Sequence, residues 1–320
     1  MSTGPSLKES LEADVRRGFA MTPKTLPPKY FYDVEGSGIF EKITELPEYY
    51  VTRAESAALG GLLPDLMDTG RWRRVVELGS GSSTKTKAVL EALHTAQALE
   101  ITYSPIDISK SALSDAAVRL TDWAPWLRVE GFIGDFLTAD LDIAVADADV
   151  ATLILFLGST LGNLFPSERQ NLLRRLAVAL KPDDAFLVGL DLVKSGDIIE
   201  PAYNDAAGIT EEFNKNVIRV LQRELGATCS VEQFDHYAPY VEETRRVEMR
   251  LYARTALAIS FPLSSVPPYS LLAGEYLLTE ISQKFERHGF EQELEASGLH
   301  LKGWWTDPGE QVALALVCAT

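Results

Sequence analysis

Short apolar runs alternate with amphipathic segments through the middle of the chain. The runs predict strands, because they are brief and rich in branched residues, and the segments between them repeat with a helical period. The predicted strands span 73–78, 100–106, 127–133, 150–157 and 185–190, and the main helices between them span 84–95, 110–120 and 167–180. Strands that are apolar on both faces and separated by helices are typical of a parallel sheet covered on two sides.

The last part of the chain predicts a different ending for this sheet. A short helix at 290–296 precedes two apolar runs, 299–305 and 311–318, which are joined by the turn Thr306-Asp307-Pro308-Gly309. Two strands joined by so short a turn form an antiparallel hairpin. The sequence therefore predicts an α/β fold with a Rossmann-like, mostly parallel sheet and a terminal antiparallel hairpin.

Two regions stand outside this alternation. Residues 1–60 are partly helical and interrupted by prolines. Residues 196–285 begin with a helix at 210–225 and continue with alternating strands, notably 246–259, where Val247, Met249 and Leu251 share one face. We predict a Rossmann-like domain made of 61–195 and 286–320, with 196–285 as an inserted α+β domain. Because ligands bind at the carboxyl edge of open α/β sheets, we expect 1–60 and 196–285 to form a substrate-binding cap over that edge.

The charge balance argues against a polyanionic partner. The 320 residues include 46 acidic and 30 basic side chains, a formal net charge of −16. Nucleic acid would be repelled unless a basic stripe overrode this charge, and the densest basic cluster is only Arg71, Arg73 and Arg74. We expect a small-molecule substrate and no nucleic-acid partner.

Neither a membrane nor a metal is expected. Residues 1–10 are polar and lack the apolar region of a signal peptide, and the longest apolar run, 150–157, is too short to span a bilayer. Cys229 and Cys318 predict two reduced thiols, and the four histidines have no metal-ligand spacing. We therefore expect a soluble, cytoplasmic protein without a metal; its oligomeric state is left open, with a monomer as the default.

A glycine-containing loop is the most specific local motif. The segment Glu77 to Thr86, ELGSGSSTKT, directly follows a predicted strand and opens a predicted helix. Gly79 and Gly81, on either side of Ser80, permit a tight turn and close approach of the backbone to a ligand. The helix N-terminus then presents N–H groups to a carboxylate or phosphate. The segment predicts a loop that binds a nucleotide-like cofactor.

Acidic residues end three successive predicted strands. Glu77 suits a cationic methionine group, Asp107 can accept both hydroxyls of a ribose, and Asp135, between Gly134 and Phe136, can accept the amino group of adenine. Together they predict S-adenosylmethionine as the methyl-donating cosubstrate. The alternative is that each acid only caps a helix.

A nicotinamide cofactor is the competing interpretation of the same loop. A dinucleotide fingerprint needs a third glycine where Thr84 stands, and no base for hydride transfer is evident. An NAD-dependent oxidoreductase therefore remains the alternative from a different class. A non-catalytic adenosine-binding module is a further alternative that only turnover would exclude.

The fourth predicted strand runs into the segment 156–165, FLGSTLGNLF. In this fold that position faces the methyl group and its acceptor. The segment is not the (Asp/Asn)-Pro-Pro-Tyr signature of amino-methylating DNA enzymes. Pro267-Pro268-Tyr269 lacks the leading acid or amide and predicts a turn.

At these motifs the chain resembles the histidine Nα-methyltransferases of ergothioneine biosynthesis, which make hercynine, Nα-trimethylhistidine. The resemblance covers nearly the whole chain. It includes the glycine loop and, beyond it, the segments KYFYD at 29–33, GSGIF at 36–40, LPEYY at 46–50, GSTLGNLF at 158–165, DLVK at 191–194, YN at 203–204 and EISQKF at 280–285.

The resemblance implies roles for the matching residues. The contacts to the substrate's carboxylate and amino group would be Asn163 and Tyr203, and those to the imidazole Tyr49, Glu280 and Ser282. The pocket would be lined by Tyr32, Phe40, Gly158 and Met249, and the cofactor bound by Gly79, Lys85, Asp107 and Asp135. The catalytic candidates are Tyr32, Tyr49 and Asn163. Because Tyr49 and Tyr50 are adjacent, the match could shift by one position, and Tyr49 is favoured.

Alternatives remain for several of these residues. Glu280 and Ser282 could form a helix N-terminal cap, and Met249 fits a strand core better than a ligand contact. The aromatic residues could be plain core, although as a set they suit a trimethylammonium product.

The expected reaction is three successive methyl transfers to the α-amino group of L-histidine. Either Tyr32 or Tyr49 could pass the released protons to water. An N-methyltransferase for tryptophan or a prenylated tryptophan is the alternative within the family; Glu280 counts against it, because an indole has one N–H and no second nitrogen.

Overall fold

The computed structural model describes residues 6–69, 71–80, 84–97, 100–107, 110–137 and 150–320. The helices are α1 Leu7–Gly18, α2 Val34–Glu45, α3 Val51–Thr69, α4 Thr84–Gln97, α5 Lys110–Trp123, α6 Pro166–Ala179, α7 Gly196–Ile199, α8 Ile209–Leu225 and α9 Arg287–Glu295. The strands are β1 Lys24–Thr25, β2 Arg74–Leu78, β3 Ile101–Asp107, β4 Leu127–Val129, β5 Phe132–Ile133, β6 Thr152–Phe156, β7 Ala185–Asp191, β8 Phe234–Tyr237, β9 Tyr240–Val241, β10 Arg246–Ala253, β11 Leu257–Ile259, β12 Tyr269–Leu271, β13 Tyr276–Gln283, β14 Leu299–Thr306 and β15 Val312–Ala319.

The chain divides into two compact units. The first unit comprises Met1–Tyr50 and Lys194–Gln283, and the second comprises Val51–Val193 and Lys284–Thr320. Helix α3 runs across residue 60, where the sequence suggested a boundary, and it belongs to the second unit. Its Leu62 and Leu66 are fully buried in the core of that unit, which explains why the helix continues past residue 60.

A mixed sheet forms the centre of the second unit. Its strand order is β14-β15-β7-β6-β2-β3-β4, and β5 also pairs with β3. Strands β2 to β7 pair in parallel, whereas β15 is antiparallel to both β7 and β14. The expected Rossmann-like α/β fold, with a terminal antiparallel hairpin, is confirmed.

Helices cover both faces of this sheet. Every residue of β6 and β7 is buried, so these strands need apolar side chains in both directions. One face packs against α6 and α9 through Leu176 and Phe290, and the other against α3 and α4 through Leu66 and Leu90. Each large apolar side chain buried in this way stabilises the fold by roughly 1.5–3 kcal/mol.

Two predicted strands are each divided in the structure. The run 127–133 forms β4 and β5, separated by Glu130 and Gly131; the N–H of Glu130 donates to the Tyr103 carbonyl at 2.8 Å. A glycine inside a strand commonly marks such a break, because it adds no packing side chain. The strand expected over 246–259 likewise forms β10 and β11, with a bend between them.

The first unit has its own sheet, in the order β1-β13-β10-β8, with β9 paired to β10; strands β11 and β12 form a separate pair. Helix α8 packs against β8, β10 and α2 through a buried stripe that includes Phe213, Val217 and Leu221. It ends at Gly226, whose φ of 70° lies in the left-handed region that glycine adopts without strain.

Strand pairing sets the positions of the predicted substrate residues. Strands β10 and β13 are antiparallel, so that Met249 lies opposite Glu280 and Val247 lies opposite Ser282. The register shifts just after Met249, at a β-bulge. Val247, Met249 and Leu251 are all buried, as their shared face predicted.

Three further features bear on the class of protein. Among the helices of the described ranges, none combines the length and apolar character that a bilayer span needs. Cys229 and Cys318 are buried free thiols. The described side chains include no group of three or more His, Cys, Asp or Glu residues arranged to hold a metal.

Candidate active site

The glycine loop begins where β2 ends, at the carboxyl edge of the second unit's sheet. Gly79 has a φ of 71°, and its N–H donates to the Ile106 carbonyl at 3.0 Å. A side chain at this position would have space, with Phe136 the nearest neighbour at 3.8 Å, so glycine is needed for its backbone conformation. Ser80 is buried beside it. Gly81, which the sequence also assigned to the cofactor, lies outside the described residues.

The ends of neighbouring strands bring the other predicted cofactor residues to the same edge. Asp107 ends β3 and pairs with Ile133 of β5, and the N–H of Gly134 donates to the Asp107 carbonyl at 3.0 Å. The Asp135 carboxylate accepts the N–H of Leu137 at 3.0 Å. The ring of Phe136 meets that of Phe156 edge-on, with 5.1 Å between their centroids.

Glu77 is buried within the sheet. Its carboxylate accepts the Thr86 hydroxyl at 2.6 Å and also the Tyr103 hydroxyl. Burial raises the pKa of Glu77 to about 7; the bonds from Thr86 and Tyr103 and the charge of Lys85 act in the opposite direction, and Glu55 raises it further. This carboxylate is held by side-chain hydroxyls from α4 and β3. A nearby cation would favour its ionised form.

Sequence reasoning missed Glu55, a buried acid on α3 that is 1% exposed. Its carboxylate accepts the N–H of Gly158 at 2.7 Å and forms an ion pair with Lys85. A Cβ at Gly189 would lie 1.9 Å from Glu55 Oε1, so a glycine there makes room for the carboxylate. The signal was present in the sequence: Glu55 interrupts an apolar helical stripe that continues through Leu59.

The segment after β6 makes a tight left-handed turn. Gly158 and Ser159 have φ values of 78° and 58°. The Ser159 hydroxyl accepts the N–H of Asp191 at 2.9 Å, which holds a non-glycine residue in this conformation. A short 3-10 helix follows and ends at Asn163, whose side chain is half-buried.

Behind this turn lies a fully buried ion pair. Lys284 donates to the Asp191 carboxylate at 2.7 Å, and neither side chain is exposed to solvent. The carbonyl of Asp191 accepts the N–H of Phe285 at 2.8 Å. The end of β7 is thereby bonded through both its main chain and its side chain.

The predicted substrate residues of the first unit form an aromatic cluster. The Tyr32 ring meets Phe40 edge-on at 5.5 Å, Phe40 meets Tyr49 at 6.2 Å, and Tyr49 meets Tyr203 at 6.4 Å. The structure adds Phe213 of α8, which lies 5.4 Å from Tyr32 and 5.6 Å from Phe40. The ring faces of such a cluster attract cations.

Tyr49 and its neighbour Tyr50 have different surroundings. Tyr49 belongs to the aromatic cluster, whereas the Tyr50 hydroxyl accepts a hydrogen bond from Lys194 at 3.0 Å. The Lys194 ammonium also lies 4.5 Å from the centroid of the Tyr50 ring. Tyr49 is therefore the one of the two that shares its surroundings with Tyr32 and Phe40.

The Tyr32 hydroxyl lies in an electronegative environment. Although the side chain is half-exposed, desolvation of the hydroxyl raises its pKa well above the usual value, and Glu280, Tyr49 and Tyr203 add to this shift. Tyr32 therefore remains a neutral phenol across the physiological range. It can pass a proton along a chain of hydrogen bonds, but it is a poor anionic base.

Glu280 and Ser282 lie on β13, where they point to the same side of the strand because they are two residues apart. Glu280 is 8% exposed and Ser282 is 3% exposed. The Tyr203 hydroxyl donates to the Ser282 hydroxyl at 2.8 Å. The alternative that Glu280 and Ser282 cap a helix does not apply, because β13 ends at Gln283 and α9 begins at Arg287.

Comparison with known proteins places the chain in a family. A model described as "histidine-specific methyltransferase, SAM-dependent" matches residues 11–319. The chain belongs to this family. Membership confirms the expectation of an S-adenosylmethionine-dependent methyltransferase and gives no support to the nicotinamide alternative.

Individual members of the family show how close the similarity is. The histidine N-alpha-methyltransferase of Mycolicibacterium smegmatis is 39% identical over 311 residues, 97% of this chain and 95% of that protein. Its counterpart from Mycobacterium tuberculosis is 38% identical, over 96% of this chain and 94% of that protein. The L-tryptophan methyltransferase of Psilocybe serbica is 28% identical, over 95% of this chain and 91% of that protein.

The residues at the carboxyl edge of the sheet fit the methyl donor that the family uses. The left-handed turn at Gly79 permits close approach to its backbone, and Asp107 and Asp135 supply carboxylate acceptors at adjoining strand ends. Phe136 provides an apolar ring beside them. This is the combination that an adenosine with two ribose hydroxyls and an exocyclic amine requires.

Proposed function

We propose that the protein transfers three methyl groups in succession from S-adenosylmethionine to the α-amino group of L-histidine, giving hercynine. The observation that carries this proposal is the pair Glu280 and Ser282, two nearly buried polar side chains on one side of β13. An imidazole has two nitrogens to satisfy, and this pair offers one group for each.

The imidazole would be bound by complementary hydrogen bonds. The Glu280 carboxylate accepts one ring N–H, and the Ser282 hydroxyl serves the other nitrogen. Tyr203 donates to the Ser282 oxygen, and the Ser282 hydroxyl would in turn donate to the unprotonated ring nitrogen, which can only accept. The ring that fits is therefore a neutral imidazole with its N–H toward Glu280.

The amino-acid end would be bound by other predicted residues. Asn163 and Tyr203 carry the groups that suit a carboxylate and an amine, and Gly158 offers close backbone approach through its left-handed turn. Met249, opposite Glu280 on the neighbouring strand, would contribute an apolar wall.

S-adenosylmethionine, when bound, supplies an activated methyl group on a sulfonium. The residues proposed to hold it are Glu77, Gly79, Ser80, Gly81, Lys85, Asp107, Gly134, Asp135 and Phe136. The contribution of the protein is mainly to align the amine with that methyl group, and good alignment is worth roughly 7–11 kcal/mol in a displacement reaction.

Only the neutral amine can attack, so a proton must leave before each transfer. Partial desolvation of an amine lowers its pKa and enlarges the reactive fraction. Tyr32 and Tyr49 are the proposed route for the released protons, as neutral hydroxyls that pass a proton on. The rings of Tyr32, Phe40, Tyr49 and Phe213 would favour the increasingly methylated cation by roughly 0.5–2 kcal/mol for each well-placed face.

The test is a direct assay with histidine and S-adenosylmethionine, followed by mass spectrometry. The expected result is a mass gain of three methyl groups on histidine, with the mono- and dimethylated forms as intermediates. Tryptophan is the matched competitor, because a relative acts on it. Unchanged histidine beside rapid methylation of tryptophan or another amine would overturn the proposal.

We further propose the cytoplasm as the site of action, which suits two cysteines that both remain free thiols. We also propose that 196–285 and the N-terminal segment carry most of the side chains for the amino acid, with Gly158 and Asn163 contributed by 61–195. Residues 61–195, together with 286–320, carry those for the methyl donor.

A further inference from the structure

A histidine of β8 lies between two hydrogen-bond partners in the first unit. His236 Nε2 is 2.9 Å from the carbonyl oxygen of Tyr203, and Nδ1 is 2.8 Å from Nδ2 of Asn214 on α8. Asn214 is fully buried. Both nitrogens of the ring are therefore engaged, and the bonds connect three separate elements of the unit.

The partners determine where the ring proton lies. A backbone carbonyl can only accept, so Nε2 must carry a hydrogen and donate it to Tyr203. Asn214 Nδ2 also lies 3.4 Å from the carbonyl oxygen of Arg250, whereas Asn214 Oδ1 lies 2.6 Å from the Thr279 hydroxyl, which shares its single hydrogen with the Met249 carbonyl oxygen at 3.0 Å. The NH₂ side of the amide thus faces acceptors, so Nδ1 of His236 accepts from it and the ring is neutral.

The electrostatic surroundings agree with a neutral ring. Burial is the largest influence and lowers the pKa of His236. The Tyr203 carbonyl and the charges of Glu211 and Asp205 act against this effect, and Lys215 acts with it. The hydrogen-bond directions and the burial therefore point to the same protonation state.

We propose that His236 is a positioning residue for histidine recognition, holding Tyr203 and β13 in the geometry that presents Glu280 and Ser282. The inference rests on the proposed function of those side chains. Tyr203 is held at two points, its carbonyl by His236 and its hydroxyl by Ser282. Through Asn214, His236 is also linked to Thr279, the residue directly before Glu280.

Two conservative variants separate the two halves of this network. In His236→Gln, the side-chain amide can reach the position of Nε2 and still donate to the Tyr203 carbonyl. In His236→Asn, the amide oxygen can take the position of Nδ1 and still accept from Asn214. His236→Leu removes both bonds, and Tyr237→Phe, at the next, exposed position of β8, is the matched control.

The measurements are steady-state KM values for histidine and for S-adenosylmethionine, together with the thermal unfolding midpoint. We expect His236→Leu to raise the KM for histidine by about tenfold or more, the factor that one lost hydrogen bond produces, with the KM for S-adenosylmethionine within about twofold of wild type. The KM for histidine in His236→Gln and in His236→Asn should lie between those of wild type and His236→Leu, and Tyr237→Phe should behave as wild type. The proposal would be overturned if His236→Gln, His236→Asn and His236→Leu all kept the wild-type KM for histidine. It would also be overturned if the KM for histidine and the KM for S-adenosylmethionine rose in parallel.

The ring's protonation state gives a readout that does not depend on turnover. In protein labelled with ¹⁵N-histidine, one ring should show the neutral tautomer with hydrogen on Nε2 at a pH where exposed histidines are charged. That signal should disappear in His236→Asn. A protonated His236 under these conditions would overturn the inference even if histidine is methylated, whereas a wild type that does not methylate histidine would overturn only the proposed function.

Discussion

Glu55 accepts a hydrogen bond from the backbone N–H of Gly158, 103 residues further along the chain, at 2.7 Å. The same carboxylate forms an ion pair with Lys85, so a single acid on α3 connects the turn after β6 to the first residues of α4. Both partners are residues that the sequence assigned to the reaction. Glu55, which joins them, does not belong to any of the sequence motifs.

Removing Glu55 should therefore affect stability and activity together. In Glu55→Ala the N–H of Gly158 and the Lys85 ammonium both lose their acceptor, which should cost roughly 1–3 kcal/mol of unfolding free energy. Glu55→Gln keeps an acceptor for Gly158 and should lose less. The measurement is urea unfolding alongside kcat, with Glu291→Gln as a control in an exposed ion pair with Arg287. Wild-type stability in the alanine variant would show that the contact has no energetic role.

Glu280→Ala should weaken histidine selectively. Loss of the carboxylate that is proposed to accept the imidazole N–H should reduce histidine binding by roughly 1–3 kcal/mol and leave the affinity for S-adenosylmethionine nearly unchanged. Isothermal titration with each ligand measures the two effects separately. Glu275→Ala, before β13 on an exposed turn, is the control. Histidine binding that equals wild type in Glu280→Ala would reject the imidazole assignment.

The elevated pKa of Glu77 makes the stability of the protein depend on pH. The pKa is raised to about 7 in the folded chain, above its value when unfolded, so between those values the folded state binds more protons. Stability therefore falls as pH rises through that window, by roughly 3 kcal/mol for this group. The full cost is present above the pKa of the folded state.

Glu77→Gln isolates this effect, because glutamine does not titrate. The free energy of unfolding of wild type minus that of the variant should decrease from about pH 5 to about pH 8, in the absence of methyl donor. Urea unfolding at several pH values gives this difference. A difference that stays constant with pH, or increases, would contradict the raised pKa.

The ion pair of Lys284 and Asp191 should be costly to break. Lys284→Met removes the ammonium that pairs with the fully buried Asp191 carboxylate, a change that typically costs roughly 3–5 kcal/mol. Adding Asp191→Asn removes the negative charge of that carboxylate and should restore part of the loss. Arg287→Gln, in an exposed pair with Glu291, should change stability by less than about 1 kcal/mol. Chemical denaturation measures the free energy of unfolding of each variant. A loss of stability in Lys284→Met that is no larger than the loss in Arg287→Gln would contradict the prediction.

Several elements could be predicted because their signals are local. Strands β6 and β7 are buried on both faces, so each appears as an uninterrupted apolar run, and α6 shows the expected helical period. The turn at Gly79 could be located because few residue types besides glycine adopt a left-handed conformation, and this glycine directly follows a predicted strand. The break between β4 and β5 was missed, since apolar residues continue on both sides of Gly131, with Val129 before it and Phe132 after it.

The sequence by itself determined the alternation of strands and helices, the position of the glycine loop and the family of the protein, because periodicity and short motifs depend on residues close together in the chain. Only the tertiary structure decided that Glu55 pairs with Gly158 and that His236 bonds to Tyr203. Those contacts join residues from separate elements. An acid within an apolar stripe, such as Glu55, can be recognised as buried from the sequence, but the groups that it bonds to cannot. The direction of their hydrogen bonds, and hence their protonation, follows from burial and from the polarity of the partner, which folding alone supplies.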